Sequence, residues 1–294
     1  MLWKLPANRV WGLGRGDRPR VMGVLNVTPD SFSDGGVLDS VETAVEAGVR
    51  MARAGALVLD VGGESTRPGA ERVGEAEQRQ RVVPVVEGLV AALSEAGLEA
   101  VVSVDTTLGG VAEAALDAGA VIVNDVSGGL EDAGMLGLCA ERGCGVILMH
   151  MRGSPGTMQD DPVYGDVVAE VGAYLSERVE AALAAGVNRE AVVVDPGFGF
   201  GKTLEHNVAL FRALGLWCGE GTGLVGGRPL MVGVSRKRMI AALSPGTGQD
   251  AGDRLGGTVA MTGLAVRMGV RLIRVHDVRE NLQAAEVAWG LSDA

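Results

Sequence analysis

The most informative segment of the chain lies at residues 54–61 and reads Ala54-Gly55-Ala56-Leu57-Val58-Leu59-Asp60-Val61. Gly55 stands where a left-handed residue ends a helix, and the apolar run behind it is typical of a strand that is covered on both faces. A carboxylate, Asp60, stands near the end of that run. Helix stop, buried strand and polar residue together predict one unit of an α/β fold.

The same unit recurs along the chain. Glycines that end a helix directly before a strand are predicted in Ala54-Gly55, Ala118-Gly119, Arg142-Gly143, Ala185-Gly186 and Met268-Gly269. Runs rich in Val, Ile and Leu predict strands at Val21–Val27, Ala56–Val61, Ala100–Val104, Val121–Val126, Gly145–Met149, Ala191–Val194, Leu230–Val234 and Arg271–Val275. The amphipathic segments between them are typical of crossover helices. Asp39 and Glu42, at capping-box spacing, are predicted to begin the first helix.

Eight strand-helix units favour an α/β fold of the (β/α)8 TIM-barrel type. A doubly wound open sheet has the same local pattern, so the sequence leaves the closure of the sheet open. Residues Leu2–Arg20 are predicted to form an N-terminal β-hairpin that plugs the bottom of the barrel. Because no linker or low-complexity tract divides the chain, residues 1–294 are predicted to be a single domain.

The composition excludes several classes of function. Hydrophobic residues make up 47% of the chain, which is ample for a large core, and a net charge of −11 argues against a nucleic-acid surface. The apolar runs are too short to span a membrane and the N-terminus lacks a secretory signal, so we expect a cytoplasmic protein with no membrane partner. Three cysteines without Cys-x-x-Cys spacing predict free thiols rather than disulfides or a zinc site.

Polar residues follow the apolar runs at one end, which is where a barrel carries its chemistry. The opposite ends consist mainly of Ala, Gly and Val. The polar set comprises Asn26, Asp60, Glu64, Asp105, Asn124, Asp125, His150, Asp195, Ser235, Arg236, Lys237, Arg274, His276 and Asp277. This one-sided distribution predicts an enzyme whose active site lies at the carboxyl ends of the strands.

Some of these residues also have a purely structural interpretation. Asp60 and Asp125 are equally typical of helix caps or turns, and His150 is typical of a structural histidine. Asp277 could simply pair with a neighbouring arginine. These alternatives stay open at the level of the sequence.

The chain has three lysines, at positions 4, 202 and 237. Lys237 follows a predicted buried strand, which indicates a functional ammonium donor. Lys202 belongs to the glycine-rich stretch Gly197–Thr203, which is similar to a phosphate-binding P-loop. The spacing is one residue short of that motif and Pro196 replaces its first glycine, so we reject a nucleotide site.

Six motifs resemble those of the dihydropteroate synthase family. In chain order they are Asn26-Val-Thr-Pro-Asp-Ser-Phe-Ser-Asp-Gly-Gly36, Asp60-Val-Gly-Gly-Glu-Ser-Thr-Arg-Pro-Gly-Ala70, Asn124-Asp125, Asp195-Pro-Gly-Phe-Gly-Phe-Gly-Lys202, Gly233-Val-Ser-Arg-Lys237 and Arg274-Val-His-Asp277. The resemblance implies a TIM barrel that joins p-aminobenzoate to 6-hydroxymethyl-7,8-dihydropterin pyrophosphate, releasing pyrophosphate in folate biosynthesis. It also implies a target of sulfonamides and a homodimer.

The resemblance implies three groups of site residues. The pterin would be held by Asp105, Asn124, Asp195 and Lys237, with Met149 lining its pocket. The pyrophosphate would be held by Asn26, Arg274 and His276. The p-aminobenzoate would be held by Thr66, Arg67, Pro68 and Ser235, with contributions from Asp30 and Phe32. Catalysis is expected from Asn26, Asp105, Asp195, Lys237, Arg274 and His276.

The residue types fit these ligands. A carboxylate can accept two hydrogen bonds from the guanidine-like edge of a pterin, while lysine donates to the acceptors of the ring. Asn26 is also expected to bind Mg2+, the implied cofactor, which uses few protein ligands beside substrate phosphates. The implied reaction is a dissociative substitution, in which pyrophosphate leaves before the aromatic amine attacks the methylene cation. The loops Asn26–Gly36 and Gly62–Gly69 are predicted to be lids that exclude water.

The chain departs from the family in one place. Asp105-Thr106 is followed by Thr107-Leu108-Gly109-Gly110, where the family has a Lys-Pro pair. Because the aspartate is kept, we expect the pterin contact to survive and the start of the next helix to differ. Two alternatives remain: a pterin-binding methyltransferase barrel, which does not need the Ser-Thr-Arg-Pro and Arg-Val-His segments, and a non-catalytic pterin-binding paralogue.

Overall fold

The computed structural model describes residues 1–27, 40–65, 70, 72–154, 156–218, 225 and 227–292. In this part of the chain the strands are β1 (Leu2–Leu5), β2 (Arg9–Gly12), β3 (Arg20–Asn26), β4 (Ala56–Gly62), β5 (Val101–Asp105), β6 (Ile122–Asp125), β7 (Gly145–Met149), β8 (Val192–Asp195), β9 (Met231–Val232) and β10 (Leu272–Val275). The helices are α1 (Val41–Arg53), α2 (Glu75–Glu95), α3 (Gly109–Asp117), α4 (Met135–Arg142), α5 (Val167–Ala184), α6 (Leu204–Arg212), α7 (Leu214–Trp217), α8 (Arg238–Leu243), α9 (Leu255–Arg267) and α10 (Val278–Gly290).

The strands β3 to β10 form one parallel sheet in the order β8-β7-β6-β5-β4-β3-β10-β9. Its two ends are joined by a parallel bridge between Val194 and Leu230, next to a hydrogen bond of 3.0 Å from the Val194 amide to the Pro229 carbonyl. The sheet therefore closes on itself. The predicted (β/α)8 TIM barrel is confirmed, and the open doubly wound sheet is wrong.

The predicted glycine stops have the expected backbone conformation. The φ angles of Gly55, Gly119, Gly143, Gly186 and Gly269 lie between +61° and +107°. A side chain would be strained there, so each glycine ends its helix where the next strand must begin. The predicted start of α1 is wrong by one residue, because the cap is Ser40, whose Oγ accepts from the Thr43 amide at 3.3 Å. Asp39 lies outside the described residues.

The hairpin of β1 and β2 covers the bottom of the barrel, as predicted. Trp3 and Leu5 are buried there, and the indole of Trp3 donates to the Ala191 carbonyl at 3.0 Å. Above them an apolar layer fills the barrel with Met22, Val58, Val101, Ile122, Ile147, Val193, Met231 and Leu272. The three cysteines are buried free thiols, as the sequence predicts. Within the described ranges, no helix combines the length and apolar character that crossing a membrane requires.

Candidate active site at the carboxyl ends of the strands

Strand geometry places the polar residues directly above the apolar layer. Side chains two residues apart on a strand point to the same side of the sheet. Two residues beyond the apolar layer, four strands carry Asp60, Asn124, Asp195 and Arg274. Asp105 lies beside Asn124 in the register of β5 and β6. The inward face therefore changes from apolar to polar at the end where the sequence predicts the site.

Arg274 connects two buried carboxylates across the barrel. Its Nε donates to Asp60 Oδ2 and its Nη2 donates to Asp105 Oδ2, each at 2.7 Å. Asp60 is fully buried and Asp105 is 9% exposed. A guanidinium shared by two buried carboxylates offsets the cost of removing their charges from water. Arg274, which the resemblance implies for pyrophosphate, therefore contacts Asp105, which the resemblance implies for the pterin.

Asp60 is the functional candidate that the sequence could not separate from a cap or a turn residue. Its Oδ2 accepts from Asn124 Nδ2 at 2.9 Å as well as from Arg274, so it orients both side chains. Among the described residues, Asp60 Oδ1 and Asn124 Oδ1 are buried acceptors without a hydrogen-bond partner. The sequence held one signal for this position. Asp60 stands two residues beyond Val58, and side chains two apart on β4 point to the same side, which here is the barrel interior.

Asp195 and Lys237 form the other side of the site. Asp195 Oδ1 accepts from the Gly197 amide at 2.7 Å, and Lys237 Nζ lies 4.1 Å from the centre of the Phe200 ring. Phe200 packs with Met149, Val126 and Met158 in a small apolar cluster. The predicted pocket residue Met149 therefore lies in an apolar wall next to the lysine.

Burial and neighbouring charges set the protonation of these groups. Burial raises the pKa of Asp105 to about 7 against the charge of Arg274, and the charge of Asp60 adds to the rise. Burial also raises the pKa of Asp195, and Gly197 and Lys237 oppose that rise. Burial lowers the pKa of Lys237 to about 8 against the charge of Asp195. Asp105 and Lys237 therefore both have a pKa near neutral pH.

Ser235 and His276 form a pair next to this cluster. Their Oγ and Nδ1 atoms are 3.0 Å apart, and the His276 amide donates to the same Oγ at 3.2 Å. The serine hydroxyl can then donate to Nδ1, which places the imidazole proton on Nε2. The structure thus joins a residue implied for p-aminobenzoate to one implied for pyrophosphate.

Two structural interpretations are correct. Asp277 forms a bidentate ion pair with Arg236 at 2.7 and 3.0 Å. Asp125 is a turn residue that accepts from the amides of Ser127 and Gly129 at 2.7 and 2.9 Å. Neither aspartate joins the cluster around Arg274 through these bonds.

The remaining predicted residues are placed as follows. Asn26 ends β3, and its Oδ1 lies 3.7 Å from the position that a Cβ on Gly62 would occupy, as does Asp105 Oδ2. In the segment that departs from the family pattern, α3 begins at Gly109, whose amide donates to Asp132 Oδ2 at 2.8 Å. An acceptor from the loop after β6 thus stabilises this helix start. Predicted residues outside the described part of the chain are Thr66, Arg67, Pro68, Asp30 and Phe32.

The fold and the polar cluster together define the class of (β/α)8-barrel enzymes, with a candidate active site at the carboxyl ends of the strands. The family model described as pterin binding enzyme matches residues 22–276. The dihydropteroate synthase of Escherichia coli strain K12 is 45% identical over 269 residues, which are 92% of this chain and 90% of that protein. The chain belongs to the pterin binding enzymes and, among them, to the dihydropteroate synthase family.

Solved structures agree with this family. The Yersinia pestis dihydropteroate synthase in a sulfonamide drug complex has a TM-score of 0.88 and 39% identity, covering 99% of this chain and 98% of that one. The Xanthomonas albilineans enzyme in complex with 7,8-dihydropteroate has a TM-score of 0.80 and 41% identity, covering 97% of each chain. The family resemblance drawn from the six motifs is therefore confirmed, and the methyltransferase alternative is set aside.

Proposed function

We propose that this chain condenses 6-hydroxymethyl-7,8-dihydropterin pyrophosphate with p-aminobenzoate, giving 7,8-dihydropteroate and pyrophosphate in folate biosynthesis. One observation carries the proposal: buried acceptors and a half-buried ammonium lie together above the apolar layer of a family barrel. Asp105, Asn124 and Asp195 supply the acceptors, and Lys237 supplies the donor.

The polar groups match the two sides of a pterin ring. The ring has a guanidine-like edge of N–H donors, which carboxylates and an amide oxygen can accept. Asn124 Oδ1 is buried without a partner among the described residues, and a buried acceptor in that state is stabilised by a donor from a ligand. Lys237 can donate to the ring oxygen and nitrogen acceptors, while Phe200 and Met149 offer an apolar wall beside it.

The proposed chemistry is a dissociative substitution at the pterin methylene. The bond from the methylene carbon to the pyrophosphate oxygen breaks and its electron pair leaves with pyrophosphate. The cation that remains is conjugated with the ring, where Asp105 and Asp195 stabilise it electrostatically. The amine of p-aminobenzoate then forms the C–N bond and loses a proton.

The leaving pyrophosphate would be held by Arg274, His276 and Asn26. A guanidinium has five N–H donors, and the ion pairs with Asp60 and Asp105 use two of them, so Arg274 can also donate to an anion. In the tautomer described above, Ser235 donates to His276 Nδ1 and the ring proton lies on Nε2, from which it would be donated to the anion. The positive groups thereby favour departure of the leaving group.

We also propose that Asn26 binds Mg2+ together with pyrophosphate oxygens. Across the described ranges there is no cluster of three or more His, Cys, Asp or Glu side chains with metal-binding geometry. The donor set nevertheless fits magnesium, which binds through one or two protein oxygens plus water and phosphate. Asn26 Oδ1 and Asp105 Oδ2 flank the same point above Gly62. When bound, the ion would neutralise charge on the pyrophosphate.

Three further features belong to this proposal. Thr66, Arg67, Pro68 and Ser235 would hold p-aminobenzoate, as the resemblance implies. The enzyme would be a homodimer located in the cytoplasm. Light scattering measures the oligomeric state directly, and fractionation of cells measures the location.

Pyrophosphate release tests the proposed function. With Mg2+ and the pterin pyrophosphate present, we expect folded protein to release pyrophosphate and to form dihydropteroate when p-aminobenzoate is added. The assay is run with and without p-aminobenzoate, so that hydrolysis and condensation are separated. Absence of release under both conditions would instead support the non-catalytic pterin-binding paralogue.

We expect affinity for the pterin to be highest between about pH 7 and about pH 8. Below the pKa of Asp105, about 7, the carboxyl takes up a proton and can no longer accept as a carboxylate. Above the pKa of Lys237, about 8, the amine loses the proton that it donates. Calorimetric titration across this range measures the two limbs, and thermal unfolding at each pH is the control for loss of fold. Constant affinity from about pH 6 to about pH 9 would contradict this assignment.

A further inference from the structure

The glycine-rich stretch that is not a P-loop carries a buried lysine with an unusual set of partners. Lys202 is 3% exposed. Its Nζ donates to the carbonyl oxygens of Gly197 and Phe200, both at 2.9 Å, and to that of His150 at 3.3 Å. The Nδ1 atom of His150 lies 2.8 Å from the same Nζ. The three carbonyl acceptors are uncharged.

This environment is matched to an ammonium ion. The charged form has three N–H donors for the three carbonyl oxygens, whereas a neutral amine has only two. Burial lowers the pKa of Lys202 and the charge of Asp195 opposes that shift. We expect Nδ1 of neutral His150 to accept from this ammonium, which requires the ring proton on Nε2. Burial and the charge of Lys202 lower the pKa of His150 to about 3, so the histidine remains an acceptor at neutral pH.

The ammonium spans a seam between two backbone segments. One segment is the loop after β8 and the other follows β7. A Cβ on Gly197 would collide with the His150 carbonyl oxygen, and one on Gly201 would collide with the Arg152 carbonyl oxygen. Both glycines also have positive φ angles, +68° and +63°. The segments therefore lie in direct backbone contact, and Lys202 joins them by hydrogen bonds to both.

The loop on one side of this seam holds two parts of the active site. The Gly197 amide donates to Asp195 Oδ1 at 2.7 Å. The Phe200 ring lies 4.1 Å from Lys237 Nζ. Lys202 binds the carbonyl groups of the same two residues, Gly197 and Phe200. A shift of this loop would move partners of both Asp195 and Lys237.

We propose that Lys202 is a positioning residue for the pterin site, because its ammonium holds the backbone of Gly197 and Phe200 and thereby places Asp195 and Lys237. The inference rests on the proposed function. It assigns a role to the lysine of the glycine-rich stretch without any contact between that lysine and a substrate.

Substitution of Lys202 tests the proposal. Lys202→Met keeps the length of the side chain but removes all donors, and Lys4→Met is the matched lysine control on the hairpin at the other end of the barrel. For Lys202→Met we expect KM and Kd for the pterin pyrophosphate to rise about tenfold, the loss expected for unmade buried hydrogen bonds. We expect KM for p-aminobenzoate to change less than about twofold, and Lys202→Arg to recover part of the pterin affinity.

Three results separate positioning from a purely structural role. A lowered unfolding temperature with unchanged KM and Kd for the pterin would overturn the proposal. Equal increases of KM for both substrates would overturn it as well. In wild-type protein, nitrogen NMR should show His150 neutral with its proton on Nε2, whereas a proton on Nδ1 would contradict the hydrogen bond from Lys202.

Two controls keep the outcome decisive. If Lys202→Met does not fold, His150→Leu removes the ring nitrogen next to Nζ and is measured in the same way. We expect a smaller increase of the pterin Kd in that variant, and an unchanged value overturns the proposal. If wild-type protein neither binds the pterin pyrophosphate nor forms dihydropteroate, the proposed function fails. If wild-type protein is active and the Lys202 variant is unaffected, only the positioning role fails.

Discussion

Lys237→Ala is expected to abolish measurable synthesis, chiefly by weakening binding of the pterin pyrophosphate about a hundredfold. The substitution removes the half-buried ammonium that we propose as a donor to the ring, and with it the positive charge beside Asp195. The charge of Lys237 lowers the pKa of Asp195, so its loss raises that pKa further and makes the carboxyl a weaker acceptor for the pterin. Calorimetric titration with the pterin pyrophosphate measures the effect directly.

Two variants accompany this measurement. Lys237→Met keeps the apolar contact with Phe200 but has no N–H donor, so we expect a loss close to that of the alanine variant. Arg238→Ala removes the exposed neighbouring cation and should leave pterin affinity unchanged. Unchanged affinity in Lys237→Ala would remove the lysine from the pterin set.

Arg274→Ala is expected to lower both stability and substrate affinity. It leaves two buried carboxylates, Asp60 and Asp105, without their shared guanidinium. Removing one partner of a buried ion pair costs about 3 kcal/mol of unfolding free energy. Urea unfolding of the variant and of wild type measures this difference. The control is Arg236→Ala, which breaks the more exposed pair with Asp277 and should cost less than about 1 kcal/mol.

The pH dependence of this loss has a definite sign. The guanidinium of Arg274 lowers the pKa of Asp105, which burial raises to about 7. Without the arginine the carboxyl binds its proton more tightly in the folded protein. The destabilisation is therefore largest above about pH 7, where Asp105 must ionise, and is relieved as the pH falls and the carboxyl becomes neutral. A loss of unfolding free energy that grows toward low pH would contradict the ion pair between Arg274 and Asp105.

Substrate binding by the same variant separates two roles. The resemblance assigns Arg274 to pyrophosphate, whereas its ion pairs connect it to the pterin residues. We expect weaker binding of the pterin both with and without pyrophosphate, with the larger loss for the phosphate-bearing form. An equal loss of affinity for both forms would show that Arg274 acts only through Asp60 and Asp105. It would then no longer be counted among the residues that bind pyrophosphate.

Much of the candidate site was predictable because its residues end apolar runs. Asp105, Asn124 and Asp195 each stand at a strand end, and a period of two along the strand assigns their direction. The role of Asp60 was not predictable, since it depends on Arg274, which lies 214 positions away in the sequence. The cap of α1 was misplaced because Asp39 and Ser40 are both good caps, and only the backbone conformation selects between them.

The amino-acid order alone was sufficient for the repeating strand-helix unit, the glycine stops, the polar ends of the strands and the family. These features are local, because hydrophobic period and glycine conformation act over a few neighbouring residues. The tertiary structure was needed for the closure at Val194 and Leu230, for the guanidinium of Arg274 between two carboxylates and for the bond from Lys202 to the His150 carbonyl. Each of these contacts joins segments far apart in the chain, so it exists only once the order of strands in the barrel is established.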